Sequence, residues 1–138
     1  EVRVQMVDKR MRKIAGLLEE LAEPEFIGDE SCTTLLIGWG STYGPIKEAV
    51  KTLNKTSGGK YGALIFGDIY PLPTKLLLKY AGKAKDIINI EQNATGQLAS
   101  LIREFTGIQC TAGILKYDGR QISGEEIVDR LVKEGYNG

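Results

Sequence analysis

The first 24 residues carry the hydrophobic pattern of an amphipathic helix. Six apolar residues recur at spacings of three and four, which places them on one stripe of a helix: Val4, Val7, Met11, Ile14, Leu18 and Leu21. The pattern predicts a helix over residues 2–22, which Pro24 ends. Its basic residues come early and its acidic residues late, against the helix dipole, so we expect packing to stabilise it. Residues 1–24 are interpreted as a linker helix that packs on this domain or on a partner.

The rest of the chain alternates short apolar runs with helical patterns. Residues 25–32 are polar and predict a connector. Four apolar runs predict strands: residues 34–39, 61–67, 86–91 and 112–117. A helical pattern follows each run: residues 46–54, a leucine-rich helix started by Pro71-Leu72-Pro73, residues 95–105, and a last helix that ends near Lys133. This alternation predicts an α/β domain over residues 25–138, with helix layers on both sides of a mainly parallel sheet. We expect its four strands in the order 2-1-3-4.

Composition and charge exclude several classes of protein. The chain has 138 residues, of which 42% are hydrophobic and 26% charged, as in ordinary soluble domains. Eighteen basic residues balance eighteen acidic ones, so no positive surplus predicts a nucleic-acid partner. No apolar run approaches the roughly 20 residues of a membrane span, so we expect no membrane partner. The two cysteines form no C-x-x-C pair and are typical of a reduced cytosolic protein, so we expect a cytoplasmic location. Because the sequence does not begin with Met, we expect it to be a piece of a longer protein.

The residue types present limit the chemistry. The sequence has no His, which excludes the commonest general base, the usual catalytic triads and most catalytic zinc sites. Cys32 and Cys110 stand far apart, and two thiols cannot supply the four ligands of an iron–sulfur cluster. We therefore expect no catalytic residue and no metal site in this chain.

Two loops are predicted to meet where the strand order reverses. Ligands of open α/β sheets bind there, beyond the carboxyl ends of the strands. Residues 38–44 and 91–97 are rich in small and uncharged hydrogen-bonding side chains. The candidates for an interface or a substrate channel are Gly40, Ser41, Thr42, Glu91, Asn93, Gly96 and Gln97. The alternative interpretation of the same residues is structural, with a tight glycine turn and side chains that cap helices.

The first loop also permits a nucleotide-binding hypothesis. Gly38, Gly40 and Gly44 lie between a strand and a helix, and Asp68 follows the next strand, where a ribose-binding acid would lie. The dinucleotide fingerprint requires its third glycine where Tyr43 stands, so the spacing misses by one residue. A stand-alone Rossmann-like nucleotide-binding module is therefore the alternative function.

Four motifs, taken in order, resemble one enzyme family. They are Leu-Ile-Gly-Trp-Gly-Ser-Thr (36–42), Pro-Leu-Pro (71–73), Glu-Gln-Asn-Ala-Thr-Gly-Gln-Leu (91–98) and Lys-Tyr-Asp-Gly-Arg (116–120). The chain resembles the C-terminal part of the alpha subunit of 2-oxoacid:ferredoxin oxidoreductases and is most similar to the 2-oxoglutarate type. The family often has Pro after Gly-Arg, where this chain has Gln121.

The resemblance implies a fold and a role. The fold would be similar to the transketolase C-terminal domain. The complete enzymes decarboxylate a 2-oxoacid on thiamine diphosphate with Mg, pass electrons through iron–sulfur clusters to ferredoxin, and transfer the acyl group to coenzyme A. The resemblance implies that this domain packs between subunits without binding these cofactors itself. Its implied partners are the N-terminal part of the alpha subunit and a thiamine-binding beta subunit.

Overall fold

The structure is a computed structural model that describes residues 23–56, 60–67, 69 and 72–136. The helix predicted over residues 2–22 lies outside the described residues, as does Asp68. The strands are β1 (Glu25–Gly28), β2 (Thr34–Trp39), β3 (Tyr61–Phe66), β4 (Asp86–Glu91) and β5 (Ala112–Leu115). A 3-10 turn (Gly40–Thr42) precedes the first of the helices, which are α1 (Tyr43–Thr56), α2 (Lys75–Ala81), α3 (Gln97–Thr106) and α4 (Gly124–Lys133).

The described strands form one mixed sheet in the order β1-β3-β2-β4-β5. Strands β3, β2, β4 and β5 run parallel to one another, which confirms the prediction of a mainly parallel sheet. Strand β1 is antiparallel to β3, so that Glu25 lies opposite Ile65. In these labels the order expected for the four predicted strands is β3-β2-β4-β5. The sheet contains that arrangement and a fifth strand, β1, beyond β3.

The prediction of a connector over residues 25–32 is wrong for its first half. Residues Glu25–Gly28 form β1, in which Phe26 and Ile27 are partly buried and both end residues are exposed. A strand of four residues with exposed ends carries too little alternation to be distinguished from a loop. Phe26 stacks on the ring of Tyr80, with the ring centroids 4.1 Å apart. This tertiary contact helps to hold the strand at the sheet edge.

Helices pack on both faces of the sheet, which confirms the α/β class. Helices α1 and α4 contribute to one buried cluster, which includes Leu36 and Ile127. Helices α2 and α3 contribute to a second cluster, which includes Leu35 and Ile102. Because neighbouring residues of β2 enter different clusters, this strand is apolar on both faces. Among the residues that the structure describes, no helix combines the length and the apolar composition needed to span a bilayer.

The switch point of the sheet lies between the neighbouring strands β2 and β4. The chain leaves β2 for α1 on one face and leaves β4 for α3 on the other. These two strands are neighbours, so their carboxyl ends open into a common crevice. The loops of residues 38–44 and 91–97 therefore meet, as the switch-point argument predicted.

Candidate functional site

The two loops enclose a cleft of about 300 Å³ at the carboxyl ends of β2 and β4. We call it the switch-point cleft and define it by its lining residues: Trp39, Gly40, Ser41, Thr42, Gln92, Asn93 and Gln97. Five of the seven predicted site residues are among them. The other two, Glu91 and Gly96, are buried next to the lining, at the end of β4 and at the start of α3.

Glu91 is fully buried, and its carboxylate caps the first turn of α3. Its Oε1 accepts a hydrogen bond from the backbone N–H of Leu98 at 2.7 Å, and its Oε2 accepts one from Ala99 at 3.3 Å. The residue at the N-cap of α3 is Gly96, which has no side chain to accept such bonds. A carboxylate from the preceding strand thus takes the place of a local capping side chain and interacts favourably with the helix dipole.

Three polar side chains also donate to this carboxylate. The amide of Asn89 donates to Oε2 at 2.8 Å, and the amide of Asn93 donates to Oε1 at 3.1 Å. The indole Nε1 of Trp39 donates to Oε1 at 3.3 Å from the neighbouring strand. Glu91 therefore accepts five hydrogen bonds and connects β2, β4 and α3 in one network. This is how a buried carboxylate is stabilised without a cation.

Asn93 caps the loop that enters α3. Its Oδ1 accepts from the backbone N–H of Thr95 at 3.1 Å and of Gly96 at 2.6 Å. Gly96 has a φ of 65°, a left-handed conformation that favours glycine. Together, Asn93 and Glu91 accept hydrogen bonds from every backbone N–H between Thr95 and Ala99. The start of α3 therefore has no free N–H in this stretch to offer a ligand.

The opposite side of the cleft is the turn after β2. Thr42 is buried, and its Oγ1 donates to the carbonyl of Trp39 at 2.9 Å and accepts from the N–H of Trp39 at 3.0 Å. Gly40 begins the turn with a φ of 62°. The geometry therefore agrees with the structural interpretation of these two residues: Gly40 makes a tight turn, and the Thr42 hydroxyl caps it.

A second polar link, which the sequence did not predict, crosses the rim of the cleft. Gln92 donates from Nε2 to the Ser41 hydroxyl at 3.1 Å and accepts at Oε1 from the N–H of Ile122 at 2.7 Å. Gln121 donates to the carbonyl of Ser41 at 3.2 Å. These bonds join the loops after β2, β4 and β5. A polar residue in the predicted site loop was the only sign in the sequence that Gln92 takes part in the site. Its partners could not be predicted, because they are distant in the sequence.

The described lining of the cleft carries no ionisable side chain. Within the described part of the chain, no group of three or more His, Cys, Asp or Glu residues could hold a metal ion. Burial, followed by the negative charge of Glu91, raises the pKa of the Cys110 thiol to about 11. Burial, followed by the charge of Asp29, also raises the pKa of Cys32. Both thiols are thus poor nucleophiles near neutral pH.

A protein-family model described as pyruvate:ferredoxin oxidoreductase core domain II matches residues 33–127 of the chain. These residues include both loops of the switch-point cleft. The chain belongs to this family. Two relatives are alpha subunits of 2-oxoacid:ferredoxin oxidoreductases, which confirms the resemblance drawn from the motifs. One, from Aeropyrum pernix, is 32% identical over 136 residues, and one, from Saccharolobus solfataricus, is 31% identical over 138 residues. The matches cover 94% and 98% of this chain but 21% of each relative. The chain thus spans about a fifth of their length.

Two solved structures extend the comparison. The 2-oxoglutarate:ferredoxin oxidoreductase from Magnetococcus marinus, with 2-oxoglutarate, coenzyme A and succinyl-CoA bound, matches with a TM-score of 0.80 and 27% identity. That match covers 96% of this chain and 23% of the other. The alpha chain of a probable 2-oxoacid ferredoxin oxidoreductase from Thermoplasma acidophilum matches with a TM-score of 0.56 and 31% identity, over 84% of this chain and 98% of the other.

Proposed function

We propose that this chain is a structural and assembly domain of the alpha subunit of a 2-oxoacid:ferredoxin oxidoreductase. The complete enzyme would act in the cytoplasm, where it would oxidatively decarboxylate a 2-oxoacid to an acyl-CoA and reduce ferredoxin. The observation that carries the proposed role is the network around Glu91. It links both sides of the switch-point cleft by hydrogen bonds, and the described lining of the cleft carries no ionisable side chain that could act as a general base. A cross-linked, uncharged surface of this kind suits assembly.

The residues of the cleft have distinct parts in this proposal. Glu91, Asn93 and Gly96 shape the start of α3, and Gly40 and Thr42 shape the turn after β2. Ser41 and Gln97 are exposed, so they would meet a neighbouring domain or the wall of a substrate channel. The three-layer arrangement of the domain supports a likeness to the transketolase C-terminal domain, which is part of the same proposal.

The cofactors of the complete enzyme do not fit the residues of this cleft. Thiamine diphosphate needs a divalent cation, and Mg²⁺ prefers carboxylate and phosphate oxygens. The cleft lining offers amides and hydroxyls, and both oxygens of Glu91 already accept hydrogen bonds. An iron–sulfur cluster needs four thiolates, and the chain has two cysteines. We therefore assign thiamine diphosphate, Mg and the cluster to other parts of the enzyme, such as a thiamine-binding beta subunit.

The alternative, a stand-alone nucleotide-binding module, receives less support from the geometry. A nucleotide phosphate would need free backbone N–H groups at a helix start. The glycine motif precedes α1, and there Tyr43 stands where the fingerprint requires its third glycine. The other helix start at the cleft, that of α3, is already capped by the Glu91 carboxylate. Gly38, the first glycine of that motif, is packed against Ile46 and Thr42. Packing inside the domain explains why this position holds a glycine.

The proposal is tested in the complete oxidoreductase with Glu91→Gln and Asn93→Ala. We expect each variant to lower turnover or the yield of assembled enzyme by about tenfold, since interface supports of this kind are worth 1 to 2 kcal/mol. Glu104→Gln, an exposed glutamate of α3, is the matched control and should behave as the parent. The measurements are ferredoxin-linked turnover and size-exclusion chromatography. Parent-like turnover and assembly in both variants would contradict the proposed function.

A further inference from the structure

Anions have no cationic partner among the described lining residues of the switch-point cleft. The N–H groups from Thr95 to Ala99 are taken by Asn93 and Glu91, and no lysine or arginine is among the described lining residues. The charge of Glu91 lies directly behind the lining and repels a second negative group. A 2-oxoacid carboxylate or a coenzyme A phosphate would therefore exchange its hydration for neutral donors only, beside a buried negative charge. The cleft chemistry suits an uncharged polar group.

A glycine beside the cleft is not required by the fold of this chain. Gly44 lies in the first turn of α1 and is exposed, and a Cβ built on it would have no atom within 4 Å. Alanine is more favourable than glycine in a helix, so the domain alone offers no reason for glycine here. A glycine at such a position leaves room for another backbone to approach closely.

An exposed aromatic side chain lies on the same edge of the sheet. Tyr117 follows β5 and is 70% exposed. The N–H of its neighbour Lys116 donates to the carbonyl of Glu91 at 3.0 Å, which places this loop next to the end of β4. Exposed tyrosines are common anchors of protein interfaces, because a rigid ring buries much area at a small entropic cost.

We propose that Gly40, Ser41, Gly44, Gln97 and Tyr117 form a docking face for an uncharged polypeptide segment from a neighbouring part of the same oxidoreductase. This deepens the proposed function and rests on it: the cleft is an interface and does not conduct the anionic substrate. The segment would present backbone amide groups to the Ser41 hydroxyl and the Gln97 amide. The relatives from Aeropyrum pernix and Saccharolobus solfataricus are about five times as long as this chain, so most of an alpha subunit of that length lies outside it and can supply the segment.

The experiment follows the reaction of a neutral thiol reagent with a cysteine in the cleft. Ser41→Cys supplies the reporter, and Gln97→Cys supplies a second one on the other side. The two native thiols of this chain interfere little, because Cys32 is buried and burial, followed by the charge of Glu91, raises the pKa of Cys110 to about 11. The complete enzyme without the added cysteine gives the background labelling of its other thiols. In the complete oxidoreductase we expect labelling at least about tenfold slower than in this chain alone, since a docked segment excludes the reagent. Millimolar phosphate or 2-oxoglutarate should leave the rate in the chain alone unchanged.

Two surface variants then test the docking face itself. Gly44→Ala and Tyr117→Ala, each added to Ser41→Cys, should restore fast labelling in the complete enzyme, while the chain alone keeps its melting temperature or gains a little. Val132→Ala is the control, because Val132 is a 56% exposed apolar residue of α4 outside the docking face. Equal labelling in the chain and in the complete enzyme, or protection by either anion, would overturn the inference. Either outcome leaves the assembly role to be judged by the Glu91 and Asn93 variants.

Discussion

Replacing Glu91 with alanine is expected to lower the free energy of unfolding of this chain by about 3 to 5 kcal/mol. The substitution removes the acceptor of five hydrogen bonds, two of them from the N–H groups of Leu98 and Ala99. Each buried donor left without a partner costs about 1 to 3 kcal/mol, and water that enters the new cavity recovers part of the sum. Urea denaturation followed by circular dichroism measures the change.

Two further variants separate the network from the mere loss of a side chain. Glu104→Ala removes an exposed glutamate of the same helix and should change the free energy of unfolding by less than about 0.5 kcal/mol. Glu91→Gln keeps the shape but points an amide donor at groups that are themselves donors, so its loss should lie between those of the two alanine variants. A loss for Glu91→Ala no larger than that for Glu104→Ala would show that the carboxylate does not hold α3 against the sheet.

The general arrangement of the site could be predicted from the sequence, because it depends on patterns that are local. Apolar runs of strand length alternate with helical patterns, and parallel strands place their carboxyl ends at one edge. That argument was sufficient to bring Ser41 and Asn93 to the same cleft. The short strand β1 was missed because its pairing with β3, and not its own pattern, makes it a strand.

The hydrogen-bond partners inside the site could not be predicted, because they join residues that are distant in the sequence. A glutamate at the end of a strand is compatible with a base, a ligand or a cap, and the choice depends on which donors surround it. Trp39 donates to Glu91 across 52 positions of the chain, and Gln121 donates to Ser41 across 80. Such contacts are set by the strand order and the helix layers together.

The glycines of the first loop show the same limit. The sequence groups Gly38, Gly40 and Gly44 as one possible nucleotide motif, and the structure gives them three separate environments. Gly40 has a left-handed φ, Gly44 is open to solvent, and Gly38 is buried against side chains of the turn and of α1. A motif defined by spacing alone cannot separate these reasons for glycine.

Gly38→Ala is expected to cost about 1 to 3 kcal/mol of unfolding free energy, because the added Cβ meets a site that is already filled. That Cβ would lie 2.5 Å from Thr42 Oγ1 and in conflict with Cδ1 of Ile46. Thr42 cannot turn away without losing both hydrogen bonds to Trp39, and Ile46 is fully buried. Gly67→Ala is the control, since a Cβ there has no atom within 4 Å, and it should leave stability nearly unchanged.

The double variant Gly38→Ala with Ile46→Val tests the assigned cause. Ile46→Val alone removes Cδ1 and should cost about 0.5 to 1.5 kcal/mol as a small cavity. In the Gly38→Ala background the same change relieves one of the two clashes, so the double variant should be more stable than the sum of the single losses by about 1 kcal/mol. If urea denaturation shows that the losses of unfolding free energy in the two single variants simply add, the clash with Ile46 is not the reason why position 38 is a glycine. The contact with Thr42 would then be the one that keeps Gly38, and with it the turn that forms one side of the switch-point cleft.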